Sequence, residues 1–444
     1  MKEIQMISVI TTEQATSLLR RTQLLPGESL PSLLERLAQL NYYPHSGVLG
    51  WICRERIGDS APQNNIARPK QAQTFFQLAQ LTQISPDELF AASDHRFAPI
   101  LTSPERVPVL MLWPEESPKA TMTSALAHRR LTPTSAARFC PLCLKTSAYH
   151  RLSWIPTPAA ICLQHQCLLA HQCPQCRNRV SVAEIVKRCC KTCQADLSTA
   201  HVVSVADDAM GILSQQAIQH WLSLASAPAL PDGCTLPQHP PAALYRLLYD
   251  LCRGLIACQK EWPRLSVPLD SLDERVSVPI HLYRQLTPSQ AFYLYRAAFT
   301  GILNWPQGLF QFLDAYAQRN ITSQTSSRAT IRLGPLWCRW LWKAWRCSQF
   351  EFLHQCLVDY LMARGISLPY PLLEYFKERP WFIARTGLWS AERTAQALNI
   401  SIQGLRQFLS DGPLSKCLWP DSRPSAPLFE RDKVLAVKHE WETA

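Results

Sequence analysis

Glycine is scarce, 14 residues in 444, and no Gly-rich phosphate loop of the nucleotide-binding kind occurs among them. Any energy from a nucleotide must therefore come from a partner. No run of 18 apolar, uncharged residues is present, so the sequence predicts no membrane span. Met1 to Arg20 alternates polar and apolar residues instead of holding the continuous apolar core of an export signal, which points to a reducing, cytoplasmic compartment. Acids all but vanish between Lys119 and Cys193: Glu184 stands alone against Lys119, Arg129, Arg130, Arg138, Lys145, Arg151, Arg177, Arg179, Lys187, Arg188 and Lys191. The whole chain carries +11.

What fills that basic stretch is cysteine. Cys140 and Cys143 are followed by Cys162 and His165, and Cys173 and Cys176 by Cys190 and Cys193. Each set is a pair of pairs. Two residues between ligands let a tight knuckle aim both side chains at one point, and two knuckles close a tetrahedral zinc shell. Four protein ligands leave no open position for water, so both ions are expected to be structural and the chain is not expected to be an enzyme. His171, Cys167 and Cys189 lie nearby as substitutes. Cys189, with three residues between it and Cys193, also has chelating spacing, although the two-residue spacing favours Cys190. Zinc thiolates offset part of the local charge and leave roughly +7 on the module, a footprint suited to phosphate. The same cations also suit a small module that uses long side chains to cover a surface over little core.

The rest reads as mainly α and multidomain. We expect an N-terminal helical region over 1–119, the tandem zinc module over 120–200, a helical domain over 201–385 and a C-terminal unit over 386–444. Helical spacing of Leu30, Leu33, Leu34, Leu37 and Leu40 marks a first helix that starts at Ser29, after Pro26-Gly27-Glu28. A second helix over Gln71–Leu81, a turn, and a helix capped by Ser85 with Glu88 three residues on follow the helix-turn-helix plan. Further helices are expected over Ser214–Ala225, Pro241–Lys260, Thr287–Leu303, Pro306–Arg319, Leu336–Cys347 and Phe350–Ala363, with a linker over Ser198–Ala209. The four tryptophans between Trp337 and Trp345 read as core with some capacity to stack on nucleic acid.

A second helix-turn-helix is expected near the C-terminus. Ser390 caps one helix and Ser401 the next, with Ala395, Leu398, Ile402, Leu405 and Leu409 inward. Arg393, Gln403, Arg406 and Gln407, together with the cap Ser401, then form the candidate DNA-binding set. A wing and closing helix are expected over Pro424–Trp441.

In this order of parts the chain resembles the TniQ/TnsD family of transposon target-selection proteins. The residues that carry the resemblance are Leu25-Pro26-Gly27-Glu28-Ser29-Leu30 with Glu35-Arg36-Leu37-Ala38, Arg138-Phe139-Cys140-Pro141 with Cys143-Leu144, Trp154, Cys162 with His165 and Leu169, and Cys173-Pro174 with Cys176. Asn304-Trp305-Pro306 and Gly412-Pro413-Leu414 also match. The resemblance implies an adaptor without catalytic activity. Such an adaptor binds attachment-site DNA or docks on an RNA-guided CRISPR Cascade-type effector, recruits an AAA+ ATPase, and in some systems works as a homodimer. It also places Arg129 and Arg130 beside the ATPase-facing surface. No acidic cluster of the transposase or nuclease kind is evident, which agrees. A zinc-containing helix-turn-helix transcription regulator is the alternative.

Overall fold

The computed structural model describes residues 17–55, 66–67, 69, 72–97, 100, 137–257, 286–320, 351–366, 368, 373, 376–419 and 427–443. The described residues are mainly helical, with two sheets of two strands each. The chain divides into two compact units, 1–259 with 267–299, and 260–266 with 300–444.

The first unit opens with α1 (Leu30–Leu40), α2 (Gly47–Glu55), α3 (Ala72–Thr82) and α4 (Pro86–Ala91). Ser29 caps α1, and Leu30, Leu33, Leu34 and Leu37 at helical spacing are driven into one core with Leu49, Phe75, Leu78, Leu81 and Leu89. Leu40, expected on the same face, ends 38% exposed at the last residue of the helix. The cap at Ser85 is a complete capping box: its Oγ accepts the Glu88 amide at 3.2 Å, and Glu88 accepts the Ser85 amide at 3.1 Å. α2 is an addition to the expected helices. Its apolar face is short, with Leu49 and Cys53 reaching the core.

Next come α5 (Pro141–Thr146), the hairpin β1 (Ile161–Cys162) and β2 (Cys167–Leu168), and α6 (Val182–Lys187). Then follow α7 (Ala209–Trp221), α8 (Pro241–Ala257) and α9 (Pro288–Phe299). Residues 198–209 are no free linker. Leu168 donates to the Val203 carbonyl at 2.9 Å and Val205 to that of Gln166 at 2.8 Å, so the segment is laced to the hairpin. α7 starts five residues before the expected Ser214, because Asp208 supplies the cap by accepting the Gly211 amide at 2.8 Å. Gly211 lets α7 and α9 close on each other: a Cβ there would lie 2.2 Å from the Phe292 ring. Two glutamines that look like surface residues in sequence are buried on α7. Gln215 accepts the Ala160 amide at 2.8 Å and donates to the Pro158 carbonyl at 3.0 Å, and Gln219 donates to that of Ile161 at 3.3 Å.

The second unit holds α10 (Gln307–Asn320), α11 (Glu351–Ala363) and α12 (Pro380–Thr386). It continues through β3 (Leu388–Ser390), α13 (Ala391–Leu398), α14 (Ile402–Asp411), β4 (Leu428–Glu430) and α15 (Arg431–Thr443). The tryptophan-rich stretch 337–346 and the helix expected over Leu336–Cys347 lie outside the described residues. β3 pairs antiparallel with β4, Trp389 opposite Phe429. Around that ribbon Ala395, Leu398, Leu405, Leu414, Phe429, Val434 and Val437 form a small core. Ile402, expected inward, is instead 43% exposed. It is the first residue of α14, at the open end of the face that carries Leu405 and Leu409, with exposed Arg406 one turn on.

Candidate metal centres

The first centre is made by a helix start meeting a hairpin. Cys140 caps α5 and Cys143 follows within its first turn, while Cys162 ends β1 and His165 sits in the turn before β2. The Cys140 and Cys143 sulfurs each lie 3.4 Å from His165 Nδ1, Cys162 Sγ lies 3.6 Å from the same nitrogen, and Cys143 Sγ is 3.7 Å from Cys162 Sγ. A tetrahedral zinc with ordinary bond lengths requires sulfur pairs about 3.8 Å apart and sulfur–nitrogen pairs about 3.6 Å apart. The four donors already stand at that spacing. Hydrogen bonds from Cys143, Cys162 and Cys167 hold the Cys140 thiol well below the ordinary thiol range, as a cluster crowded enough to share its protons would.

The second centre has two knuckles joined by α6. Cys173 Sγ is 3.4 Å from Cys193 Sγ, and Cys176 Sγ is 3.6 Å from Cys190 Sγ. In each set all four ligand atoms lie within 4.8 Å of one another. Both tetrads can therefore hold a metal ion, and their thiolate-rich donor sets and spacings fit zinc. Cys189 stands apart, with its sulfur directed at Gln194 Oε1, 3.1 Å away, which separates the two adjacent cysteines in favour of Cys190. Glu184, the sole acid of the stretch, is buried and locks the module. It accepts the Ser181 amide and hydroxyl at 2.9 and 2.6 Å to cap α6, and the Lys191 amide of the second knuckle at 2.9 Å. Burial opposes its ionisation, but these donors hold its carboxyl below the usual carboxylate range.

The Leu25–Leu30 segment is keyed to the chain that leaves the first centre. Gly27, at φ +66°, turns it so that the Gly27 carbonyl accepts the Leu152 amide at 2.8 Å. Ser29 and His150 bond through both backbone and side chain. Glu28 is buried, yet it gathers the Leu25 amide at 3.0 Å, the Ser32 hydroxyl at 2.8 Å and the Arg36 guanidinium at 2.6 Å. Arg138 does the equivalent from the other side. Fully buried, it donates to the carbonyls of Ile155, Pro156, Thr157 and Ala159, and burial draws its pKa down to about 9, still cationic at neutral pH. Sequence reasoning placed Arg138 among the surface cations, and that is corrected here. Arg188 is also neutralised, by Asp196 at 3.3 Å. Among the described residues the exposed basic face of the module rests on Lys145, Arg177, Arg179, Lys187 and Lys191.

Elsewhere, Arg393, Gln403, Arg406 and Gln407 are exposed on α13 and α14. Ser401 is committed to its cap, accepting the Gly404 amide at 2.9 Å. Arg129 and Arg130 lie outside the described residues. Among the described residues no helix is long and apolar enough to cross a membrane.

No curated protein matches the chain. Residues 19–169 match the TniQ family model, a span that takes in α1 to α4, the Leu25–Leu30 segment and all four ligands of the first centre. The chain thus carries a TniQ domain over residues 19–169, which implies a function associated with DNA transposition.

Proposed function

We propose that the protein is a non-catalytic target-site adaptor for DNA transposition, stiffened by two structural zinc ions, that contacts double-stranded DNA and recruits an AAA+ ATPase. The observation that carries this is the TniQ domain, whose Leu25–Leu30 segment is fastened to the exit of the first metal centre. That fastening makes α1 and the cysteine module one body, suited to presenting a partner surface. Bound zinc would supply cross-linking of the knuckles and no turnover, since four protein donors fill each shell.

The ATPase-facing surface, in this reading, combines Arg129 and Arg130 with an open groove of about 480 Å³ between α1 and α6. On its wall the Arg20 guanidinium stacks over exposed Tyr42, 4.7 Å from the ring centre. The C-terminal unit, with Arg393, Gln403, Arg406 and Gln407, is the proposed helix-turn-helix and the contact to target DNA. Targeting through a CRISPR Cascade-type effector would use the same unit as a protein-docking surface, and a homodimer is compatible with either route.

The test is recruitment of the ATPase to DNA by the full chain in a pull-down, compared with Arg129→Glu/Arg130→Glu and with Tyr42→Ala. Weaker recruitment by folded variants is expected. Parent-level recruitment in both would overturn the surface assignment.

A further inference from the structure

A fifth thiol borders the first centre. Cys167 opens β2 directly opposite Cys162 of β1, and directly opposed residues of an antiparallel pair project to the same face. It is fully buried, and its sulfur is 3.6 Å from Cys140 Sγ, the edge length that a shared tetrahedral zinc requires, about 3.8 Å. His165, by contrast, sits in the turn between the two strands and is only half-buried, next to Gln166 at φ +46°. The histidine ligand is therefore the donor closest to solvent and farthest from regular structure, whereas the Cys167 sulfur is held on a strand against Cys140.

We infer that Cys167 is a reserve ligand of the first centre, able to take the metal when His165 leaves. The inference rests on the zinc reading above. In the exchange the imidazole departs as the neutral base, the Cys167 sulfur bonds to the metal, and its proton passes to solvent. The centre changes from three thiolates and a histidine to four thiolates, and its charge from about −1 to about −2. While His165 is in place, Cys167 donates its S–H toward the Cys140 thiolate and is not a ligand.

The experiment is metal stoichiometry on the full chain, with the second centre as internal reference. The parent and Cys167→Ala should each hold two zinc ions. His165→Ala should still hold two, and after cobalt(II) substitution its thiolate-to-metal absorption should rise above that of the parent, as for a fourth thiolate. His165→Ala/Cys167→Ala should hold one. A His165→Ala protein with one ion, like the double variant, would overturn the inference while leaving the zinc reading intact. So would loss of an ion from Cys167→Ala alone, which would make Cys167 an obligatory ligand. A parent without metal would overturn the zinc reading and this inference together.

Discussion

Ser29 Oγ lies 2.8 Å from His150 Nδ1, 121 residues away in sequence, and the Ser29 amide donates to the His150 carbonyl at 3.0 Å. Both residues are buried. One serine thus caps a helix of the N-terminal core and fixes the chain leaving the first metal centre. Ser29→Ala should remove the cap and leave the histidine nitrogen without that partner, costing about 1–3 kcal/mol. Denaturant unfolding of the metal-loaded protein checks this. A change within error would mean that the join rests on its backbone bonds alone.

Glu28→Gln should be worse than its shape suggests. The variant keeps volume but withdraws the charge that faces Arg36 and half the acceptor capacity used by Leu25 and Ser32. A buried partner left without its counter-charge typically costs about 3–5 kcal/mol, reduced here because Arg36 is partly solvated. Unfolding midpoints of Glu28→Gln and Glu28→Gln/Arg36→Met should differ, the double variant recovering part of the loss.

Metal analysis of the purified chain should find two zinc ions. Cys143→Ser and Cys176→Ser should each lose one and unfold the module they serve, since zinc binding at such sites supplies on the order of 10 kcal/mol. Cys189→Ser should keep both ions and Cys190→Ser should not, because only the Cys190 sulfur faces Cys176. The reverse result would exchange the two assignments.

The ligand pairs, the helix start at Ser29 and the capping box at Ser85 are legible in sequence because each is local. A knuckle or a cap is complete within four residues. What sequence does not show is which polar residues turn inward. Arg138, Gln215 and Gln219 are of surface type, yet each is buried to satisfy backbone groups of a distant segment, and Glu28 is buried to gather the Leu25 amide with the Ser32 and Arg36 side chains. Zinc modules have little apolar core, so polar side chains from neighbouring helices complete their hydrogen bonding, and those partners are fixed only by tertiary contact. Ile402 failed for a related reason. Its apolar character and its spacing from Leu405 and Leu409 placed it inward, but as the first residue of α14 it lies outside the core that those two residues join.

In the second unit Arg364 clasps Asp314 with two nitrogens, at 3.0 and 2.5 Å, and Tyr360 donates to the same carboxylate at 3.0 Å. The hydrogen bond from Arg364 outweighs the opposing effect of burial and, with a further bond from Tyr360 and the charge of Arg364, holds the Asp314 carboxyl below its ordinary 3.8. Its folded-state pKa is depressed, so its stabilisation is present above the unfolded value and lost as pH falls through the folded one. Asp314→Asn should therefore be less stable than the parent at pH 7, by a small margin because both partners reach solvent, and the two should converge as pH falls through the depressed folded-state pKa. A gap that persists in acid would assign the loss to packing instead.

On α14 a residue that holds the fold stands next to one proposed to contact DNA. On α14 Leu405 is buried against the ribbon while Arg406, the next residue, is exposed. If α14 is the recognition helix, Arg406→Ala should leave the fold intact and weaken DNA affinity by about 1–3 kcal/mol through a lost base-edge contact. Leu405→Ala should instead cost about 2–5 kcal/mol of stability and lose binding only as a consequence. Salt distinguishes a base contact from a phosphate contact: a lost base contact lowers affinity at every salt concentration with the slope unchanged, whereas a lost phosphate contact also flattens the salt dependence by about one unit. The assay is titration of target-site DNA with the full chain at two salt concentrations, beside thermal unfolding of each variant. Parent-level binding by Arg406→Ala at both salts would remove α14 from the DNA interface and favour its use as a docking face for an RNA-guided effector.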